Sequence, residues 1–144
     1  MLKSIGAILA GLMVVIVLSI GTDLVLEKAG IFPAYPQPLK IGWMVLLATF
    51  YRSIYAVMGS YIAAVLAPNR PMRHALLLGF IGLGLNIIGV LVIWGPGSES
   101  EFSKVAQQTP AWYSMALVLL ALPCAWFGGR LKLRRIHPSL NYNR

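Results

Sequence analysis

One arginine stands in the middle of an apolar stretch that is long enough to cross a lipid bilayer. In TFYRSIYAVMG, residues 49–59, Arg52 lies between Tyr51 and Tyr55. A permanent charge at such a position costs about 2.5–3.5 kcal/mol on insertion scales, so it is expected to face protein or water instead of lipid. Arg52 is therefore the first residue to consider for a binding, transport or assembly role.

Polar residues in other apolar segments are candidate partners of Arg52. Asp23 is the only acid within a predicted span, and the helical rise places it ~7–8 Å from the level of Arg52, which an extended arginine can cover. Asn86 lies at the level of Arg52, where its side-chain oxygen can accept a guanidinium hydrogen bond. Ser19 can extend the set towards the bilayer centre, and the two tyrosines can add hydroxyl and ring contacts. The predicted intramembrane network is Asp23, Arg52, Asn86, Ser19, Tyr51 and Tyr55.

Two interpretations of this network stay open. The first is an ion pair with polar contacts that fix how the helices pack. The second is a path or site for a solute, which is the default hypothesis for an ionisable residue inside a membrane. Assembly is favoured, because one Arg–Asp pair without a chain of further acids is weak evidence for proton coupling.

Residues that could support enzyme or metal chemistry are sparse. Cys124 is the single cysteine, it lies in an apolar run, and neither a histidine nor an acid is placed to activate it. His74 and His137 lie at the predicted membrane boundary. The sequence has no Gly-rich phosphate loop, zinc-ligand spacing or nucleophile elbow. We therefore expect no enzymatic activity, no catalytic residue, no bound metal and no cofactor.

The composition indicates a membrane protein. Hydrophobic residues make up 58% of the 144 residues and charged residues 11%, with a mean hydropathy of +0.77. A soluble domain carries about 25% charged residues, so this chain has too few to cover a water-facing surface. The net charge is +8, but the basic residues are not interleaved with aromatic residues as they are in nucleic-acid-binding proteins. Anionic lipid, and not nucleic acid, is the expected partner of that charge.

Four apolar segments have the length of a membrane span, about 20 residues. They cover residues 4–26, 41–66, 72–94 and 111–129, and a basic tail follows at 130–144. Each must be helical, because lipid offers the backbone no hydrogen-bond partner. The predicted fold is an all-α, multi-pass membrane protein with four transmembrane helices in an antiparallel bundle.

The distribution of lysine and arginine predicts the orientation. Only Lys28, Lys40 and Lys104 fall on one side, so the more basic side, with both termini, is expected to be cytoplasmic. The side chains expected to contact anionic lipid there are Arg70, Arg73, Arg130, Lys132, Arg134 and Arg135.

The first segment also has features of a cleavable signal peptide. It combines a basic start and an apolar run with small residues at Ser19 and Gly21. Retention is favoured, because the apolar run is long, no Ala-x-Ala pattern occurs, and an even number of helices keeps the basic C-terminus inside.

Small residues recur at helical spacing on the second and third predicted helices. Such stripes let helices approach closely in lipid. Because a short turn joins these two helices, they are expected to be neighbours. The stripes can also pack two copies of the chain, so a homodimer is among the expected partners. The residues assigned to helix packing are Ala56, Gly59, Ala63, Gly79, Gly82 and Gly89.

Several segments resemble a group of small four-helix bacterial membrane proteins of uncharacterised function. They are YRSIYAVMGSYIAA, APNRPMRHALLLGFIGL and ALPCAWFGGRL, together with GTD at the end of the first helix. The resemblance implies a location in the bacterial inner membrane and carries no activity.

A shorter stretch, GLGLNIIGV at residues 82–90, is similar to the glycine motif by which small multidrug-resistance transporters dimerise. Those transporters also have four helices and couple drug to proton through a carboxylate of the first helix. Here the motif lies in the third helix, Asn86 interrupts it, and Asp23 lies near a helix end.

The functional expectation is a structural, accessory or lipid-interacting role in the inner membrane, with the Asp23, Arg52 and Asn86 network holding the bundle. The alternative is a small transporter or channel that uses the same residues for a proton-coupled or anionic solute.

Overall fold

The computed structural model describes residues 2–34, 37–39, 41–96 and 100–136, and within them it contains helices and no strand. The helices are α1 (Leu2–Lys28), α2 (Gly42–Leu66), α3 (Pro71–Trp94), α4 (Glu101–Ala106) and α5 (Ala111–Ile136). All but the short α4 are long and apolar enough to span a membrane. The predictions of an all-helical chain and of four potential spans are confirmed.

The ends of the helices differ from the predicted bounds in two places. α5 continues past Gly129 to Ile136, because GRLKLRR is rich in strong helix formers and contains no proline. The basic cluster is therefore the last part of a helix and not a separate tail. α4 lies in a segment that was expected to be a loop, and Ser100 caps it by accepting a hydrogen bond from the Ser103 backbone N–H. Lys40, His137 and the rest of the tail up to Arg144 lie outside the described residues.

The large apolar side chains point outward and the small ones inward. Leu119 is 74% exposed, Phe50 66% and Val25 65%, whereas Ala48 and Ala63 are fully buried. In water such a surface would aggregate, but in lipid it is the expected exterior. The interior is consequently narrow, and the helices approach through small residues.

The main helix contacts connect α2 to α1 and α5, and α5 to α3. α2 and α3 touch less extensively, and α1 and α3 less again. The sequence predicted that α2 and α3 would pack through their small-residue stripes. Instead, Gly59 of α2 packs against α1, and Gly79 of α3 packs against α5.

The closest backbone approach between α1 and α2 occurs at Gly11 and Gly59. A Cβ added to Gly11 would lie 2.5 Å from the Gly59 carbonyl oxygen and 3.0 Å from the Ala63 Cβ. A Cβ added to Gly59 would overlap Val15. Gly11 was not among the predicted packing residues, because only the small residues of the second and third helices were assigned to packing.

Glycines also set the contacts of α5. A Cβ on Gly79 of α3 would overlap Ala125, and one on Gly128 would lie 2.5 Å from the Val57 carbonyl oxygen of α2. Gly129 lies equally close to Met72 and Ala75. The sequence did not predict the packing roles of the last two glycines, because both stand at the predicted end of the span.

Gly82 and Gly89, also predicted to pack, make no close contact with another helix of the described chain. A Cβ added to either glycine would meet no atom of the described residues within 4 Å. Because α3 turns its Gly79 edge towards α5, its other glycines face open space. Ala56, also predicted to pack, is half-buried and lines the cavity described below.

Candidate functional site

Asp23 of α1 accepts hydrogen bonds from two neighbouring residues of α2. Arg52 Nη2 lies 2.7 Å from Asp23 Oδ2 and forms an ion pair with it. The Tyr51 hydroxyl donates to Asp23 Oδ1. Each carboxylate oxygen therefore has its own donor, and the charge-assisted bonds tie α1 to α2.

A second polar contact joins the same helices beside the first. The hydroxyls of Thr22 and Tyr55 are 2.8 Å apart, and the rings of Tyr51 and Tyr55 pack with their centroids 5.7 Å apart. The sequence predicted both tyrosines as partners of Arg52. In the structure Tyr51 donates to Asp23 and also interacts with Arg52, whereas Tyr55 bonds to Thr22.

The guanidinium of Arg52 also contacts α5. Its central carbon lies 5.8 Å from the centroid of the Tyr113 ring, within cation–π distance. Arg52 Nε and the Tyr113 hydroxyl are both buried and have no hydrogen-bond partner among the described residues. Sequence reasoning missed this role of Tyr113, because the contact depends on how α5 is rotated about its axis. We call Asp23, Tyr51, Arg52, Tyr55 and Tyr113 the polar layer.

A cavity of about 210 Å³ lies between the four long helices. Most of its wall is aliphatic and comes from leucines such as Leu78, Leu117 and Leu120. Its polar or sulfur-containing residues are Ser19, Arg52, Ser53, Ser60, Asn86 and Cys124. The volume corresponds to about seven water molecules at about 30 Å³ each, so the cavity suits a small guest.

The cavity is bounded by close contacts at both ends. Arg52 belongs to the polar layer and lines one end of the cavity. Beyond the other end lie the close contacts of Gly11, Gly59, Ala63 and Gly128, which we call the glycine layer. Along α1, the lining residues fall between Gly11 and Asp23. The two layers thus lie at the two ends of a partly polar space.

Asn86 and Ser19 are placed differently from the prediction. The Asn86 amide nitrogen donates to the Gly82 carbonyl oxygen at 2.8 Å, within its own helix. No hydrogen bond from Arg52 to Asn86 occurs among the described residues, but both side chains line the cavity. Ser19 also lines the cavity instead of bonding to Asp23. Both residues therefore belong to the cavity wall and not to the ion-pair network.

The charge of the cavity wall is asymmetric. Arg52 lines the cavity, whereas its counter-charge Asp23 does not. No acidic side chain of the described residues lines the cavity. The wall therefore presents a cation at one end, with hydroxyl groups and the Asn86 side-chain oxygen along the aliphatic sides.

The cavity offers little for covalent or metal chemistry. Cys124 is buried, and the described cavity residues include no histidine or carboxylate to activate its thiol. No group of three or more potential metal ligands occurs among the described residues. The arrangement suits reversible binding of a small solute better than bond-making.

The comparisons can be set against this geometry. No protein-family model, curated protein or solved structure matches the chain. The function is therefore inferred from the geometry of the described residues.

A second candidate surface is the basic end of the bundle. The start of α3 meets the end of α5, where Gly129 contacts Met72 and Ala75. Arg130 packs its guanidinium 4.7 Å from the centroid of the Trp126 ring. Of the predicted lipid-contacting residues, the exposed ones are Arg70, Arg73, Arg130 and Arg134, Lys132 is half-buried, and the Arg135 side chain is outside the described part.

Proposed function

We propose that this chain is a multi-pass membrane protein that binds a small polar solute between its helices and moves it across the bilayer, without enzymatic activity. The observation that supports this proposal is the position of Arg52 at the wall of a cavity. A guanidinium that only fixed helix packing would be expected in a closed contact, with no space beside it. This favours the solute-binding alternative over the purely structural role that the sequence alone favoured.

The proposed topology is an antiparallel bundle with both termini in the cytoplasm of a bacterium and the spans in its inner membrane. Asp23, late in α1, meets Arg52, early in α2, while Gly11 meets Gly59. These paired contacts support opposite directions for α1 and α2. The cluster of basic side chains at one end supports the orientation and a contact with anionic lipid headgroups.

In the proposed mechanism, the described arrangement is the closed form. The polar layer is held by side chains, whereas the glycine layer is held by backbone contacts at Gly11, Gly59 and Gly128. Side chains change rotamer more readily than packed backbones separate. The polar layer is therefore the end that opens first, when Arg52 exchanges Asp23 for the solute.

A cavity-filling variant with a matched control tests this proposal. A leucine at Gly82 would project into the cavity, whereas one at Gly84 would meet equally open space and does not line the cavity. Both variants keep the polar layer, and both gain similar helix propensity. We expect vesicles containing Gly82→Leu to lose solute flux at least tenfold relative to wild type, and Gly84→Leu to retain it. Wild-type vesicles that pass no proton, cation, anion or neutral solute would contradict the proposal.

One observation favours a second candidate, a structural or accessory protein that uses the network as a clamp. Asp23 is engaged by Tyr51 and Arg52 at once, so the network also joins α1 to α2. In that case Gly82→Leu leaves the biological role unchanged, and only disruption of the ion pair removes it.

A further inference from the structure

We infer that the solute of the cavity is a compact monocarboxylate, with its carboxylate group on Arg52 and its short alkyl part against the leucines. The inference rests on the proposed function and adds the chemical class of the solute. It follows from the charge, the free hydrogen-bonding groups and the size of the cavity.

The charge of the wall favours an anionic group. Arg52 is the only charged side chain among the described residues that line the cavity, and Asp23 stands outside the wall. In a space shielded from bulk water, attraction or repulsion by that charge is much stronger than in solution. Asp23 neutralises Arg52 overall, but the positive end of the pair faces the cavity. An anionic guest that replaces Asp23 on the guanidinium is therefore favoured over a cationic one.

The free donors match a carboxylate. Arg52 donates to Asp23 through Nη2, whereas its Nε has no hydrogen-bond partner among the described residues and is buried. A guest reaches Nε only when the Arg52 side chain moves, as the proposed opening of the polar layer requires. A guanidinium offers further N–H groups in a planar fork, which suits a carboxylate with two oxygens. The Ser19 and Ser60 hydroxyls line the same space and form no hydrogen bond with the described residues.

The remaining wall and the volume limit the rest of the solute. Leu78, Leu117 and Leu120 provide an apolar surface beside the charged end. A volume of about 210 Å³ leaves room for only a few non-hydrogen atoms next to the carboxylate, on the order of seven water volumes. Strongly polar solutes with several hydroxyls would leave hydroxyls unpaired against the leucines, which is unfavourable.

The carboxylate can arrive from two sources. One is a short acid dissolved in water, which enters when the polar layer opens. The other is the head of a fatty acid in the bilayer, which enters sideways between α1 and α3, which touch less extensively than α1 and α2 or α3 and α5. Both present the same chemical group to Arg52, and the choice of probe separates them.

The test is equilibrium binding to the purified full chain in lipid nanodiscs. The radiolabelled probes are propionate, decanoate, methylammonium and glycerol. We expect propionate to bind in competition with formate and acetate, and methylammonium and glycerol to remain unbound. Propionate binding that decanoate does not displace identifies the dissolved acid, whereas tighter binding of decanoate identifies the membrane-borne acid.

Variants assign the binding to the cavity and to Arg52. We expect Gly82→Leu to weaken carboxylate binding at least tenfold and Gly84→Leu to leave it unchanged. The charge-free pair Asp23→Asn with Arg52→Gln keeps hydrogen-bonding side chains at both positions and should also lose binding at least tenfold. If the double variant does not fold, Arg52→Lys serves instead, because it keeps the positive charge but lacks the planar guanidinium. We expect it to bind the carboxylate severalfold more weakly.

The outcomes separate the inference from the proposed function. Binding of methylammonium or glycerol that Gly82→Leu abolishes, without propionate binding, would overturn the carboxylate and leave a solute site. Carboxylate binding that Gly82→Leu does not weaken, or that Arg52→Lys fully retains, would overturn the assignment to the cavity and to the guanidinium fork. If the wild type neither binds nor transports any probe, the proposed function fails together with the inference.

Discussion

Asp23 is the residue on which the polar layer depends. It accepts hydrogen bonds from Tyr51 and from Arg52, and it is the only carboxylate paired with Arg52 among the described residues. Removal of either charge leaves the other without its partner in a region where water is scarce, and such a loss costs more than the intact pair contributes. About one-third of each side chain of the ion pair is exposed, so the loss is smaller than for a fully enclosed pair.

A double-mutant cycle measures that dependence. We expect Asp23→Ala and Arg52→Ala each to lower the free energy of unfolding in detergent by about 1–2 kcal/mol. The double variant should lose less than the sum, because the second substitution removes a charge that the first had already left unpaired. Thermal denaturation of the four proteins provides the values.

The same chain supplies a control ion pair. Lys104 and Glu101 lie 3.1 Å apart on α4, and their side chains are 59% and 90% exposed. Substitution of Glu101 by alanine should leave the melting temperature unchanged, since exposed pairs contribute little. Strict additivity of the two substitutions in the polar layer would show that Asp23 and Arg52 do not stabilise each other.

At the residue scale, the sequence predicted the pairing of Asp23 with Arg52 from depth and charge. It did not predict the hydrogen bond of Asn86 to Gly82, because an asparagine in a helix can bond to its own backbone or across to another helix. It also missed Tyr113, since the contact with Arg52 depends on the rotation of α5 about its axis, which a single sequence does not determine.

At the element scale, α1 and α2 are held together by glycine contacts as well as by the polar layer. Gly6 and Gly11 stand on the same helix, but an added Cβ would meet no described atom within 4 Å at Gly6 and would clash with the Gly59 carbonyl oxygen at Gly11. We expect Gly11→Ala to lower the free energy of unfolding by about 1–3 kcal/mol, because two backbones must separate. Gly6→Ala should leave it unchanged or raise it by up to about 1 kcal/mol through helix propensity.

The measurement is thermal denaturation of both variants in detergent beside the wild type. Equal melting temperatures for Gly6→Ala and Gly11→Ala would contradict the close approach of α1 and α2.

The number of long helices was predictable because an apolar segment that crosses lipid must form a helix to satisfy its backbone hydrogen bonds. The pairs of neighbouring helices were not predictable. A stripe of small residues shows that a helix packs closely, but it does not show which helix is the partner.

The structure of the segment between α3 and α5 was also not predictable from the sequence. Ser103 donates to the Val92 carbonyl oxygen at 3.1 Å, and Gln107 donates to that of Ile93 at 2.6 Å. These side chains satisfy carbonyl groups that the end of a helix leaves without partners. Polar residues in GPGSESEFSKVAQQTP predicted a solvated loop, whereas two of them fold back onto α3.

At the scale of the whole molecule, the cavity makes Cys124 a native reporter of opening. It is the only cysteine of the chain, it is 8% exposed, and it lines the cavity. We expect small thiol reagents to modify folded protein at least tenfold more slowly than denatured protein. A negatively charged methanethiosulfonate should react faster than a positively charged one, because Arg52 shares the cavity.

Mass spectrometry of the modified chain measures these rates. Gly82→Leu should slow both reagents, and Gly84→Leu should slow neither. Equal rates in folded and denatured protein would show that the polar and glycine layers do not close the cavity.

The existence of the cavity could not be predicted, since it results from the rotation of α3 about its axis, which places Gly82 and Asn86 at the cavity wall.

The ion pair also has a consequence for biosynthesis. Asp23 precedes Arg52 by 29 residues, so the acid is synthesised before its partner. The carboxylate lies in the last two turns of α1 and can stay hydrated near the membrane surface until α2 follows. We therefore expect α1 to reach its final depth in the membrane only after α2 has followed it.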